Sequence, residues 1–272
     1  MANKCIYYRP SLMDVEELEA SKNAGFHTHD CFSNLDSGHI VVPRYSVLPF
    51  IDDVYREFNN IGCMPINKIA SVKWIADLGR YTELLGDLTP KTWNQDELCK
   101  LPTSDMSFVL KGGTNSKKHY WNTHMFAKDK REAIRVFGLL AEDCMIGCQP
   151  IYIREWVPLV TYMTGINELP ITKEFRLFYY KRKLLASGFY WQNYVDDLVE
   201  IPRMDVPPTF LKKVTDLIAP CVNFYVVDIG QKVDGSWTVI ELNSGEMSGL
   251  SCCNPIELYS NLAKEMNLEC LY

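Results

Sequence analysis

The sequence contains no apolar run that approaches the roughly 20 residues needed to cross a membrane. Its first residues, MANKCIYYRPSLMDVEELEA, also lack the apolar core of a secretory signal peptide and soon become acidic. These two absences argue against a membrane protein and against a secreted one. The resulting expectation is a cytoplasmic protein.

Positive charge is also scarce in this chain. Its 28 lysines and arginines are outnumbered by 34 aspartates and glutamates, so the formal net charge is −6. A broad nucleic-acid surface usually needs a basic face. Nucleic acid is therefore not an expected partner, and the acidic balance disfavours a nucleic-acid ligase.

Cysteine is present, but no CxxC pair occurs among the ten cysteines. Without a secretion signal, they are expected to be reduced thiols. The segment HTHDC, from His27 to Cys31, places two histidines and a cysteine at alternate positions, which could hold zinc if the chain is extended there. Because no second ligand pair with finger-like spacing follows, a polar loop is the preferred interpretation.

The overall composition is that of an ordinary globular protein. The chain has 272 residues, 47% of them hydrophobic and 23% charged, enough for one large domain or two lobes. Residues 1–100 have a mixed α/β character. After them, residues 101–272 predict strand, helix, strand, hairpin, helix and hairpin in that order. This order predicts an α+β fold rather than regular βαβ alternation.

One helix of the second region is predicted in detail. Asp129 followed three residues later by Glu132 is a capping-box signature, and it opens the helix DKREAIRVFGLLAEDCMIG. We expect one face of this helix to be apolar. That face consists of Ile134, Phe137, Leu140, Ala141 and Cys144.

A β-hairpin is predicted from Asn223 to Asn243. Asp234-Gly235 favours a two-residue type I′ turn, which needs positive φ at both positions. Val233 would then face Ser236. Counting back along both strands puts Asp228 directly opposite Glu241.

The same hairpin predicts a metal site. Asn243 is two residues beyond Glu241 and therefore points to the same side of the sheet. Opposed carboxylates such as Asp228 and Glu241 repel each other unless a cation joins them. An all-oxygen set with one amide suits magnesium, or manganese in its place. A solvated polar face is the alternative interpretation.

The segment FVLKGGTNSKK predicts a phosphate-binding loop. It ends a strand with Lys111 and continues through Gly112-Gly113, whose backbone N–H groups can approach an anion closely. Ser116 adds a hydroxyl donor and Lys117 adds charge. The segment matches neither GxxxxGK[ST] nor GxGxxG, so a polar surface turn is the alternative.

A further strand, EFRLFYY, carries Glu174 and Arg176 on one face and apolar residues on the other. An arginine in such a strand suits bidentate recognition of phosphate or carboxylate. The alternative is a Glu-Arg pair on a wet sheet face.

In this order, FVLKGGTNSKK, IYIREWVPL, EFRLFYYKRKLLASGFYW and IELNSGEMSG resemble the ATP-grasp superfamily. More closely, they resemble its branch named for two arginines and a lysine, which is common in phages, large viruses and bacteria. The resemblance implies two α+β lobes that hold ATP between them, after an N-terminal α/β region. If the source is viral, the host cytoplasm becomes the expected location. The segment GGTNSKKHYWNTH is bulkier than the superfamily's glycine-rich lid.

The resemblance also implies roles for individual residues. Lys111 would contact ATP phosphates, and Arg154 and Arg176 would be the two arginines that contact phosphate or an acyl-phosphate. Asp228, Glu241 and Asn243 would hold magnesium. Other positions would bind the nucleotide, namely Glu155, Trp156 and Val157 around adenine, with Ser116, Lys117 and Glu174.

The activity that the resemblance implies is an ATP- and magnesium-dependent carboxylate–amine ligase. It would form an acyl-phosphate, release ADP and join the acyl group to an amine on an amino acid, peptide or protein. Two alternatives share the fold. One is a kinase that phosphorylates a hydroxyl, and the other is an ATP-binding regulatory module without turnover.

Overall fold

The computed structural model describes residues 3–103 and 105–269. Fourteen strands occur in these residues, with the following bounds: β1 Lys4–Tyr8, β2 His27–His29, β3 Ile40–Arg44, β4 Met64–Pro65, β5 Thr92–Asn94, β6 Phe108–Gly112, β7 Phe126–Ala127, β8 Ile151–Glu155, β9 Thr161–Thr164, β10 Pro170–Thr172, β11 Glu174–Tyr180, β12 Lys183–Phe189, β13 Phe224–Gln231 and β14 Trp237–Ser244. Seven α-helices accompany them: α1 Val15–Asn23, α2 Ile51–Ile61, α3 Ile69–Ile75, α4 Leu78–Leu85, α5 Lys130–Ala141, α6 Pro208–Ile218 and α7 Pro255–Glu269. None of the helices in these ranges is long and apolar enough to cross a membrane.

The first sheet is built entirely from the N-terminal region. Its strand order is β2-β1-β3-β4, and all of its pairs are parallel. Helix α2 ends at Gly62, which has the positive φ of 84° that favours glycine at a helix C-terminus. The α/β character predicted for this region is therefore observed, while the division at residue 100 remains a prediction.

The second sheet has the order β5-β8-β6-β7, and its pairs are antiparallel. Strand β5 precedes residue 100, so this sheet draws on both predicted regions. Helix α5 covers one face of the sheet and begins as predicted, because the Asp129 side chain accepts a hydrogen bond from the Glu132 backbone N–H at 2.8 Å.

The predicted apolar face of α5 is wrong by about one position. The buried residues are Ala133, Val136 and Leu140, whereas Ile134 is half exposed and both Ala141 and Cys144 are exposed. Ala133 lets the helix backbone approach the small sheet closely, so the helix turns its alanine rather than its isoleucine toward the core. Of the predicted set, Leu140 is buried and Phe137 is partly buried.

The third sheet has the order β12-β11-β13-β14 and is antiparallel. One face packs against α4 and α6 through an apolar cluster that includes Phe175, Leu177 and Val227. On the other face, Phe178 and Val226 pack under α7. That second face also carries Arg176 and Asp228, as the alternation along β11 and β13 requires. Together, the sheets and helices form the expected α+β fold.

The turn predicted for the β13–β14 hairpin is wrong, although the register across its centre is right. Gln231 pairs with Trp237, so the loop is longer than the two residues of a type I′ turn, and only Gly235 has positive φ. This offset of one residue is cancelled by a bulge next to Asp228, where Ile240 is the extra residue on β14. Asp228 therefore faces Glu241 as predicted.

Candidate active site

The second and third sheets meet at an ion pair between Lys111 and Glu241. Lys111 lies on β6 and Glu241 on β14, and both side chains are almost fully buried. Burial lowers the pKa of Lys111, and the nearby Glu241 carboxylate opposes this shift only in part. For Glu241, burial raises the pKa, but Lys111 and Lys118 outweigh it and lower the pKa to about 2. Glu241 is therefore ionised at neutral pH.

The neighbouring residues Lys117 and Lys118 point to different places. Lys117 pairs with Asp143 at 2.5 Å, on the outer side of the loop. Lys118 instead donates a hydrogen bond to the Tyr190 hydroxyl, and its Nζ lies 5.2 Å from the centre of the Trp191 ring. Lys118, which was not in the predicted set, is thus the loop cation that enters the site. Nothing in the sequence distinguishes two adjacent lysines in an irregular loop.

Arg176 and Asp228 form a bidentate ion pair across β11 and β13. Nε and Nη2 of Arg176 donate to the two carboxylate oxygens of Asp228 at 2.9 and 2.8 Å. The third arm, Nη1, donates to the Gly249 carbonyl at 2.8 Å. The guanidinium carbon also lies 4.9 Å from the centre of the Tyr190 ring. One face of the arginine stays available to a ligand because the aromatic ring, not a second carboxylate, covers the other.

Arg154 is held by the protein itself. Its Nη2 donates to Thr89 Oγ1 at 2.7 Å, its Nε donates to Thr92 Oγ1 at 3.3 Å, and its Nη1 donates to the Ile240 carbonyl. Burial lowers the pKa of Arg154, since no carboxylate contacts it directly. In this arrangement Arg154 supports the bulged part of β14 beside Glu241.

Glu174 is a buried carboxyl group at the start of β11. Burial raises its pKa to about 7, although Lys118 and a hydrogen bond from the Thr172 hydroxyl act in the opposite direction. A carboxyl group with a pKa near neutrality can hold or release a proton at working pH.

The predicted metal ligands lie on one face of the hairpin. Asn243 follows Glu241 on that face and is partly exposed, and its side chain makes no hydrogen bond to the described residues. Two carboxylates and an amide oxygen are hard oxygen donors, and this donor set fits magnesium or manganese. A cation bound there would share the carboxylates with Lys111 and Arg176, which neutralise them now.

A cavity between the second and third sheets, here called the inter-sheet cavity, collects most of the predicted nucleotide residues. Glu155 and Trp156 lie in its wall, but their backbone N–H groups already donate to the carbonyls of Lys91 and Ser107, at 2.8 Å each. In the described ranges the Val157 N–H makes no such bond. Predicted residues in the lining are Lys111, Ser116, Arg154, Glu155, Trp156, Val157, Glu174 and Glu241. Lys117, Arg176, Asp228 and Asn243 are not in it.

Aromatic side chains close the cavity from the loop side. Trp121 packs edge-on against Trp156 with ring centres 5.5 Å apart, and Phe126 contacts the same ring at 5.6 Å. Trp121 lies in the residues 121–125, which form a short π-helix. The bulky segment that replaces a glycine-rich lid thus rests directly on the strand-to-linker residues.

A second cavity of about 520 Å³, here called the arginine cavity, adjoins the first. Arg176 and Tyr190 line it, and Lys118 and Trp191 line both cavities. Asp14 and Glu16 lie at its edge. The largest cavity of the described structure, in contrast, lies behind the Glu155–Val157 segment and includes none of the residues around Glu241. Its size therefore does not mark the reactive centre.

Comparison with known protein sequences gives a family match that agrees with this geometry. Residues 100–262 match the sequence model of a family described as an "ATP-grasp domain", which is family 3 of its clade. Among curated protein sequences, none matches the chain.

Solved structures resemble the chain over nearly its whole length. D-cycloserine synthetase DcsG is 14% identical with a TM-score of 0.64, over 97% of this chain and 100% of its own. The ATP-grasp ligase PsnB, solved with precursor peptide PsnA2 and AMPPNP, is 9% identical with a TM-score of 0.60, over 98% and 97%. The macrocyclase MdnC, bound with precursor peptide MdnA from Microcystis aeruginosa MRC, is 12% identical with a TM-score of 0.59, over 97% and 99%. At these identities the likeness establishes the fold.

Proposed function

As the chain belongs to a family of ATP-grasp domains, we propose that it is an ATP- and magnesium-dependent carboxylate–amine ligase. The proposed reaction forms an acyl-phosphate and ADP, and then an amide. The proposed acyl carrier or acceptor is a peptide or protein, because two of the similar structures are described as bound to precursor peptides. We also propose a cytoplasmic location and a phage, viral or bacterial source, on the sequence resemblance alone.

The inter-sheet cavity is the proposed ATP site. The adenine would lie against Trp156 and accept a hydrogen bond from the Val157 N–H, which is the available donor of that segment. Its phosphates would then extend toward Lys111 and Lys118. At an effective dielectric constant of about 20, each cation at 4 Å attracts a unit negative charge by about 4 kcal/mol before desolvation is counted.

The arginine cavity is the proposed site of the carboxylate substrate. Arg176 presents its guanidinium there, and Lys118 lies between this cavity and the proposed phosphate position. A carboxylate oxygen would attack the γ-phosphorus, and the bond to the β–γ bridging oxygen would break as ADP leaves. An amine nitrogen would then attack the acyl carbon, phosphate would leave and the amine would lose a proton.

Magnesium held by Asp228, Glu241 and Asn243 would supply neutralisation of the phosphate charge when it is bound. The chain's own residues supply the rest. Lys111 and Lys118 neutralise charge, Arg176 orients the acid, and the Trp121 lid excludes water that would hydrolyse an acyl-phosphate. Arg154 is proposed as the second arginine of the branch, in a supporting position beside Glu241.

The observation that carries this proposal is that Lys118 joins an acid-binding cavity to a nucleotide-sized groove. Incubation with ATP, magnesium, hydroxylamine and a pool of N-acetyl amino acids and short peptides tests it. Hydroxylamine converts acyl-phosphates to hydroxamates, so a ligase gives ADP and a hydroxamate. A stable phosphate ester without hydroxamate would instead identify a kinase.

A further inference from the structure

Four potential metal-binding side chains gather on one face of the N-terminal sheet, away from the proposed ATP site. Strands β1 and β2 are parallel and in register, so that Cys5 pairs with His27 and Tyr7 pairs with His29. His39 lies one residue before β3 and shares the face of Val41, which pairs with Cys5. The sulfur of Cys5 and ring nitrogens of His29 and His39 all lie within 4.8 Å of one another.

The three imidazole rings are stacked. Ring centres of His29 and His39 are 5.9 Å apart with an angle of 19° between the planes, and His27 lies 6.1 Å from His39 and 6.5 Å from His29. Cys5 and His39 are buried, His29 is partly buried and His27 is exposed. The cluster therefore has a closed inner side and an open outer side.

Most of these ligand atoms have no other role in the fold. The hydrogen bonds of residues 3–103 and 105–269 include none to the Cys5 thiol or to the ring nitrogens of His27 and His29. His39 Nδ1 accepts one hydrogen bond, from the Asp36 backbone N–H at 3.2 Å. An ordinary core histidine would be expected to have such a partner for each buried nitrogen.

We propose that Cys5, His29 and His39 form a zinc site, with the fourth coordination position open to water on the side of His27. Sulfur and imidazole nitrogen are the donors that zinc prefers, and three protein ligands with one open position are a common zinc arrangement. Bound zinc would tie β1, β2 and the entry to β3 together. Coordination of His39 would exchange the Asp36 hydrogen bond for the metal, so the backbone at Asp36 reports on binding.

This site differs from the one that the motif HTHDC suggests by itself. Cys31 is exposed, and its sulfur contacts Ser33 Oγ at 3.0 Å. The ligands that complete the set are Cys5 and His39, which come from elsewhere in the sheet.

Zinc titration of the metal-stripped full chain, in excess magnesium, tests the proposal. We expect one zinc ion per chain, a rise in thermal stability and a shift of the Asp36 amide resonance. Cobalt(II) in place of zinc should give a thiolate-to-metal charge-transfer band. His29→Gln should weaken zinc binding by about 100-fold or more, beyond the 10- to 100-fold loss typical of a supporting group. Cys5→Ser should remove the cobalt band.

Matched variants distinguish this site from others that bind zinc. Cys31→Ser keeps the cluster but breaks the HTHDC motif, and we expect unchanged affinity. Glu241→Gln alters the proposed magnesium site and should also leave the zinc stoichiometry at one. The proposal is overturned if the wild-type chain fails to bind zinc, if His29→Gln binds it normally, or if Glu241→Gln abolishes binding.

Discussion

Lys111 and Glu241 are separated by 130 positions in the chain, yet their side chains form a buried ion pair between the second and third sheets. Each therefore neutralises a partner that a bound nucleotide or cation would engage. The pair keeps two charged groups in place before ligands arrive. Phosphate bound at Lys111 and magnesium bound at Glu241 would each release the other residue, so we expect their binding to be coupled.

Glu241→Gln removes the carboxylate charge at nearly constant volume. We expect magnesium-dependent ADP release to fall by at least about 100-fold, the scale found when one group that stabilises transition-state charge is removed. Manganese binding, followed by electron paramagnetic resonance, should weaken in parallel, and the circular dichroism spectrum should stay unchanged.

The matched control is Glu257→Gln, an equivalent change at an exposed residue of α7. It should leave both ADP release and manganese binding unchanged. Normal turnover in Glu241→Gln would refute the assignment of Glu241 as a metal ligand.

Two adjacent lysines permit a paired test of the phosphate loop. Lys118→Met should reduce kcat/KM for ATP by about 10- to 100-fold, which corresponds to the 1.5–3 kcal/mol typical of a hydrogen bond to a charged group. Lys117→Met should change it by less than about 2-fold, because exposed ion pairs contribute little. Steady-state kinetics with varied ATP checks both. Equal losses in the two variants would contradict the distinction drawn between them.

The contact between Trp121 and Trp156 predicts an effect on ATP affinity. Trp121→Ala should raise KM for ATP by about 2- to 10-fold, since an aromatic pair contributes about 0.5–1.5 kcal/mol beyond its buried area. Tyr120→Ala, a change at an exposed neighbour, is the control and should leave KM unchanged. If the tyrosine variant has the larger effect, the lid does not close through Trp121.

A buried carboxyl group connects the N-terminal sheet to the end of β14. Glu246 receives hydrogen bonds from Ser244 Oγ at 2.8 Å and from Tyr55 OH and Asn67 Nδ2 at 3.2 Å each. Burial raises its pKa to about 7, and these hydrogen bonds only partly offset the rise.

The pKa of Glu246 makes stability depend on pH in a defined direction. Because the folded pKa lies above the ordinary value of 4.5, the unfolded chain loses this proton first as pH rises. Stability is thus expected to fall between about pH 4.5 and pH 7, by about 1–3 kcal/mol from this group. Glu246→Gln mimics the protonated form and should reduce that fall. Urea unfolding of both proteins at pH 5 and pH 8 measures it; an identical fall in both would contradict the assignment. Glu174 shifts in the same direction in both proteins, so the difference between them isolates Glu246.

The Asp228–Glu241 pairing illustrates how far sequence patterns reach. Alternation predicts which residues share a face, and it correctly predicted this pair. The turn prediction failed because Gly235 alone has positive φ, and the bulge at Ile240 restored the register. Bulges depend on packing between sheets, which a strand's own sequence does not reveal.

Other parts of the site depend on contacts that are distant in the chain. Lys118 enters the site because Tyr190 and Trp191 receive it, and neither lies near it in sequence. Likewise, the cluster at His29 needs Cys5 and His39, which only the parallel pairing of β1 with β2 and β3 brings together. Local motifs supplied the residue types, and the tertiary fold decided which of them meet.

Amide formation at the expense of ATP is the activity on which the proposed roles of these residues depend. Mass spectrometry can detect it in a reaction with the protein, ATP, magnesium and a pool of amino acids and short peptides. We expect ADP, phosphate and a product whose mass is the sum of two pool members less one water, all absent with Glu241→Gln. AMP with pyrophosphate, or a phosphorylated pool member without a condensed product, would contradict the proposed ligase activity.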